Sequence, residues 1–229
     1  QELELADHGC GSVRWYIVDN GRVNGRVVNA AGEPVARILV ALVDPGASAA
    51  EYPSKLERTN DDGYFSFTAV RRGTYHVAVN RNRFPDPTDP TNAYPPSFYP
   101  GVVDQRHAQT ITVGAGEKLS GVDIRIPSKR PASTLIGSVV WEDGSPVVNA
   151  QLSVKDVTLT DNSSYHGVAT DERGQFKIDG YVGQKLFIEA RSNRPYVAGG
   201  SGPMERSEPL TIRLERPTHT VQIVITKLR

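Results

Sequence analysis

The chain has 229 residues, with 26 basic and 26 acidic side chains, 38% hydrophobic and 23% charged residues. Those proportions exclude a disordered tail. No apolar run approaches the roughly 20 residues that span a bilayer, so no membrane insertion by this segment is expected. The densest basic spots, Arg71-Arg72 and Lys129-Arg130, are dipeptides in predicted turns and read as solvated, so no nucleic-acid partner is expected.

Gly (21) and Pro (16) punctuate short runs rich in Val, Thr and Ile, a pattern of strands and turns. No window keeps helical periodicity for more than two turns. In chain order, Leu3, Leu5, Val13, Trp15 and Ile17 suggest two strands. Gly25 to Val35 reads as a strand and a tight turn at Gly32, with Pro34 at the turn exit; Ile38, Val40 and Leu42 follow. Asp61 and Gly63 mark a second turn before Phe65 and Phe67, and Tyr75, Val77 and Val79 continue the alternation. Each set has period two, as a strand with one buried face requires.

A repeat organises these elements. Gly25, Gly32 and Pro34 recur as Gly137, Gly144 and Pro146 at an offset of 112, and Ile38, Val40 and Leu42 as Ala150, Leu152 and Val154. The block Thr59 to Phe67 recurs as Thr170 to Ile178, with Asp171 and Gly174 in the turn, at an offset of 111; Tyr75, Val77 and Val79 become Leu186, Ile188 and Ala190. Ile111 and Val113 match Leu210 and Ile212, and Val122, Ile124 and Ile126 match Val221, Ile223 and Ile225, all at 99. The first copy therefore carries 12 extra residues (111 less 99), within Arg81 to Arg106. Residues 1–18 resemble the last two strands of an upstream repeat. With Gln1 at the start and no signal peptide visible, the chain is expected to be a piece cut from a longer array. A competing reading makes the stub an edge hairpin. The expected division is 1–21 for terminal strands, 22–130 for one β-sandwich and 131–229 for a second.

The motif Gly-x-Val-x(4)-Gly-x-Pro-Val, then Thr-Asp-x-x-Gly-x-Phe, then Gly73-x-Tyr75-x-Val77, resembles the carboxypeptidase regulatory-like domain. The resemblance covers about residues 22–128 and 134–228. The second copy departs from it at Gln184-Lys185-Leu186, where Gly-x-Tyr is expected. It implies an all-β fold of two tandem prealbumin-like (Ig-like) sandwiches, within the carbohydrate-binding-like fold group. It also implies an exported bacterial protein in which such domains act as spacers, adhesion modules or accessories, and it brings no catalytic residues.

The chain carries little recognisable site chemistry. No two of His8, His76, His107, His166 and His219 are spaced as metal ligands, and there is no His-Glu-x-x-His. His76 is expected on the outer surface of its strand. Asp61-Asp62 reads as turn chemistry, and Asp86 to Asp89 lacks calcium-loop spacing. Cys10 has no partner cysteine, Gly199 to Gly202 reads as a flexible loop, and Asn162-Ser163-Ser164 is a glycosylation sequon only in a eukaryotic secretory setting. The first strands offer Arg26 and Ser138 rather than Lys, so no Lys–Asn isopeptide staple is expected. The expectation is no enzyme activity, no cofactor and no metal, in a structural or adhesive extracytoplasmic module. The alternative is a carbohydrate- or protein-binding module that uses the Pro-stiffened loop 81–106, with Arg83, Phe84, Tyr94, Phe98 and Tyr99 as contacts. The competing reading of that loop has its rings folding back over the domain's own edge or the seam between the halves.

Overall fold

The computed structural model describes residues 20–46, 53–81, 89–158, 165–192 and 205–227. The expected terminal strands at 1–18, with Cys10, lie outside the described residues. The described chain is all-β. Its strands are β1 (Gly21–Val28), β2 (Leu39–Val43), β3 (Lys55–Arg58), β4 (Tyr64–Val70), β5 (Gly73–Val79), β6 (Ser97–Phe98), β7 (Thr110–Val113), β8 (Lys118–Leu119) and β9 (Ile124–Arg125) in the first half. The second half holds β10 (Ala132–Trp141), β11 (Gln151–Asp156), β12 (Tyr165–Ala169), β13 (Gln175–Tyr181), β14 (Lys185–Arg191), β15 (Leu210–Arg213) and β16 (Thr218–Ile225).

In the first half, β4-β1 with β8 and β9 faces β3-β2-β5 with β6 and β7. In the second, β13-β10-β16 faces β12-β11-β14-β15. Each pair of sheets closes on its own apolar cluster, one holding Val27, Leu42, Phe67, Val77 and Ile124, the other Val139, Val154, Ile178, Ile188 and Ile223. Burial of such side chains contributes roughly 1.5–3 kcal/mol each.

The two halves share one register. Gly25 pairs with Phe65 as Gly137 pairs with Phe176, and Leu42 with Val77 as Val154 with Ile188. Val27 faces Ile124 as Val139 faces Ile223, both in parallel ladders. One sequence alignment needs correction. Tyr75 pairs with Ile111 and Leu186 with Ile212, so Ile111 corresponds to Ile212 and Val113 to buried Leu214, at an offset of 101. The excess is therefore ten residues before Ile111 and two more between Val113 and Val122. A slip of two keeps every side chain on its face, so alternation cannot detect it.

The turns follow the repeat too. Gly32 and Gly144 have φ of 86° and 80°, and Pro34 and Pro146 bridge Val28 and Val140. Gly63 and Gly174 have φ of 79° and 71°, and a Cβ on either would lie 2.6 or 2.7 Å from a carbonyl oxygen, of Val27 or Val139. Both the conformation and the space exclude a side chain there. The carboxamide of Asn60, not Asp61, closes the first of these turns: its Oδ1 accepts from the amides of Asp62 and Tyr64, as Asp171 Oδ1 accepts from Arg173 and Gln175. Asp61 lies one place too late for that geometry and instead faces Arg37 at 3.7 Å on the surface. Thr59 and Thr170, both buried, fasten the turn to the next strand. Their hydroxyls donate to the carbonyls of Val35 (2.7 Å) and Val147 (2.6 Å) and accept from the amides of Ile38 (3.0 Å) and Ala150 (2.8 Å).

The departure at Gln184 is a substitution of means. In the first half the Tyr75 hydroxyl donates to the Arg71 carbonyl and closes the β4–β5 turn. In the second, fully buried Gln184 accepts from the Tyr181 amide and donates to Asp156. We predict that Thr59→Val and Thr170→Val each cost about 1–3 kcal/mol, because each leaves a buried amide without its acceptor. Urea denaturation should show a lower midpoint at unchanged slope; an unchanged midpoint at either site would show that threonine to be dispensable.

Candidate functional site

The residues singled out for binding fall on the segment that the first half has in excess. Arg83 and Phe84 lie outside the described residues. From Asp89 onward the segment packs against the first half. A 3-10 turn at Pro90–Ala93 is capped by Asp89, whose Oδ1 accepts from the Thr91 amide (2.9 Å) and hydroxyl (2.6 Å). Arg58 of β3 approaches Asp89 at 3.7 Å. Buried Asn80, just past β5, donates to the carbonyls of Thr91 (2.8 Å) and Tyr94 (3.2 Å).

The chain then returns along the free edge of β5 as β6, pairing Ser97 with Val79 and Phe98 with Ala78. Tyr94 is 8% and Phe98 3% exposed, and Tyr99 is half-buried against the main core. Phe98 packs with Ala41, Val43 and Ala78, flanked by Val102 and Ala108. The Tyr99 amide donates to Val77, and the Pro100 carbonyl accepts from Arg125 across the sandwich. A second 3-10 turn, Gln105–His107, is capped by Asp104. Tyr94 is thus buried in the main core and Phe98 against the outer face of the sheet, as burial of aromatic area favours.

His76 corrects a related expectation. It does point to the outer face, but that face is roofed, and His76 is only 8% exposed with Nδ1 lacking a hydrogen-bond partner. The sequence held a signal for the roof. The outward positions of β2 and β5 are Ala41, Val43, His76 and Ala78, whereas the equivalent positions of β11 and β14 are Ser153, Lys155, Phe187 and Glu189. On that face of the second half, Lys155 sits 6.0 Å from the Phe187 ring, and Glu189 pairs with Arg191 (3.1 Å) and Arg206 (3.6 Å). Small apolar outward residues occur where the extra segment exists, and charged ones where it does not.

The segment also reaches the junction between the halves. The Arg130 amide donates to the Ala93 carbonyl (2.8 Å), and its guanidinium donates to Asn92 (3.3 Å) and lies 5.1 Å from the Tyr181 ring. Lys129 Nζ lies 5.3 Å from the Tyr94 ring. Burial pulls the Arg130 guanidinium down from the ordinary arginine value, and Asp156 and Tyr181 oppose that shift. The solvated turn expected for Lys129-Arg130 is therefore, at Arg130, a packed junction; nothing in a two-residue basic motif signals which carbonyls will meet it.

Charged pairs elsewhere stand on the surface. The Asp104 carboxyl is lowered to about 2 by its hydrogen bonds from the Arg106 side chain and backbone. Asp143 is lowered by hydrogen bonds from the Ser145 hydroxyl and from Lys227, and by the Ser145 amide. Among the described residues, no group of three or more His, Cys, Asp or Glu is placed to hold a metal ion.

Two predictions follow from this geometry. Phe98→Ala leaves a cavity over Ala41 and Ala78 and should cost about 3–5 kcal/mol in chemical denaturation; a cost typical of a surface site would show that the roof does not pack. For Asp104, the folded carboxyl titrates below its unfolded value. Its contribution to stability is therefore present above the ordinary carboxylate range and is lost as pH falls toward about 2. A carboxyl NMR titration should place its midpoint there, and Arg106→Ala should return it toward the ordinary value of about 3.9.

No curated protein matches the chain. Among solved structures, the Bacillus anthracis TIE protein is 13% identical at a TM-score of 0.34, over 92% of this chain and 34% of that one. A streptococcal ancillary pilin is 12% identical at 0.42, over 90% and 62%. The minor pilin GBS52 of Streptococcus agalactiae is 13% identical at 0.43, over 91% and 96%. The chain thus spans about a third of the first and less than two thirds of the second. Residues 22–127, the half that carries the roofed β-sheet, match the family model of the carboxypeptidase regulatory-like domain.

Proposed function

We propose that this chain is a non-catalytic structural module: two tandem β-sandwich domains, 22–130 and 131–229, that space or present neighbouring parts of a larger extracytoplasmic bacterial protein. The observation that carries this reading is the fate of the aromatic segment. The extra residues that offered the best candidate ligand contacts pack Tyr94 and Phe98 into the fold and reach the junction with the second half. The shared register of the two halves supports a duplicated scaffold, and the family match over 22–127 supports an accessory domain rather than an enzyme. Among the described residues no helix is long and apolar enough to cross a membrane. The partners that suit this reading are other domains of the same envelope protein.

A glycan-array screen tests the proposal against a recognition role. We expect no saturable binding by the folded chain, and a Tyr94/Phe98/Tyr99 triple-alanine variant that is strongly destabilised. Saturable binding of one glycan class by the wild-type chain would overturn the spacer reading in favour of a carbohydrate-binding module.

A further inference from the structure

The junction does more than connect. It contains two consecutive cations, each set against a tyrosine of a different half: Lys129 near Tyr94 of the first and Arg130 near Tyr181 of the second. Both tyrosines are buried, at 8% and 6% exposure. Arg130 is held from both sides. Its amide and guanidinium donate to the Ala93 and Asn92 carbonyls of the first half, while Tyr181 and Asp156 of the second act on its charge. Pro131 follows, its ring fixing φ and its carbonyl accepting from the Val182 amide at 2.8 Å. Pro131 also restricts Arg130 to extended backbone. Ala132 is already paired with Tyr181 in the β10–β13 ladder. No residue between Lys129 and Ala132 is left to act as a free swivel.

We propose that Arg130, anchored on the 90–94 turn and stacked on Tyr181, is a brace that locks the two halves into one orientation and makes the tandem a stiff strut. The extra segment of the first half then has a second use besides roofing its own sheet: it carries the carbonyls that hold the brace. Arginine suits the position because its planar fork can meet two carbonyls while its face lies on an aromatic ring, which a lysine ammonium cannot do. The proposal rests on the spacer reading, and it adds what the spacer's joint is made of.

The test measures the spread of distances between the halves. Spin labels at Thr68→Cys on β4 and Gln222→Cys on β16, both exposed, would be introduced in a Cys10→Ser background. Pulsed dipolar spectroscopy should give one narrow distance peak for the otherwise wild-type chain. Arg130→Ala, and separately Tyr181→Leu, should lose that narrow peak while circular dichroism keeps the β signature. The second variant retains apolar bulk and guards against a failure to fold at Arg130. Arg130→Lys should recover the peak only in part. A broad distribution in the parent chain, or a peak as narrow in both folded variants, would overturn the brace. Neither result would bear on whether the chain binds glycans, so the spacer reading stands or falls separately.

Discussion

The β2–β5 ladder is apolar on both faces, and a ladder of that kind must be covered by chain on both sides. Its inner face, with Val40, Leu42, Val77 and Val79, meets the opposing sheet. Its outer face, with Ala41, Val43 and Ala78, meets Phe98. The alanines matter as much as the ring, because Ala41 and Ala78 stand opposite one another and leave the depth that Phe98 fills. From that requirement the rest of the first half follows. The segment leaves the end of β5, returns along its free edge as β6 with Phe98 turned to the outer face, and goes on to begin β7. On the way it turns at Pro90–Ala93, beside the junction, and at Gln105–His107.

The second half keeps the same frame and drops the requirement. Lys155 stands beside the Phe187 ring and Glu189 pairs with Arg191 and Arg206 at the outward positions, and the connection is shorter by ten residues. What the frame demands is thus distinct from what the first half adds. The frame demands the Thr59 and Thr170 bridges, the positive-φ glycines and an Asx-type side chain at the turn. Closure of the β4–β5 or β13–β14 turn can be met by a tyrosine hydroxyl or by a glutamine amide, since either supplies the missing hydrogen bond.

Much of this was legible in the residues. Period-two alternation gave the strands, and the recurrence of Gly32, Pro34 and Phe65 at 112 and 111 gave their order and pairing. Alternation failed where it carries no information: it could not tell an offset of 99 from 101 before β15, since both put the same side chains inward. It also misplaced the turn cap, because Asp61 and Asn60 are equally plausible by type and only the hydrogen-bond geometry chooses Asn60. The candidate site was harder still. Tyr94, Phe98 and Tyr99 are residues that suit a sugar face and a core equally well. What discriminates between them lies about twenty residues or more away, in the apolar outward positions Ala41, Val43 and Ala78. A sequence read one element at a time does not set those side by side. Arg130 gave no signal, because its partners are main-chain carbonyls of another element.

The parallel ladders have a mechanical meaning. In the second half, the entering strand β10 and the last strand β16 lie side by side in parallel, in register from Thr134–Thr218 to Trp141–Ile225. Tension applied along the chain from either end slides these strands past one another, and the cross-strand hydrogen bonds share the load at once instead of parting one by one. In the first half, among the described residues, β1 pairs in parallel with the shorter strands Lys118–Leu119 and Ile124–Arg125, with further hydrogen bonds from Val122 to Asn24 and from Ile126 to Val28. The same architecture therefore spreads a load along the chain over more parallel pairs in the second half than in the first.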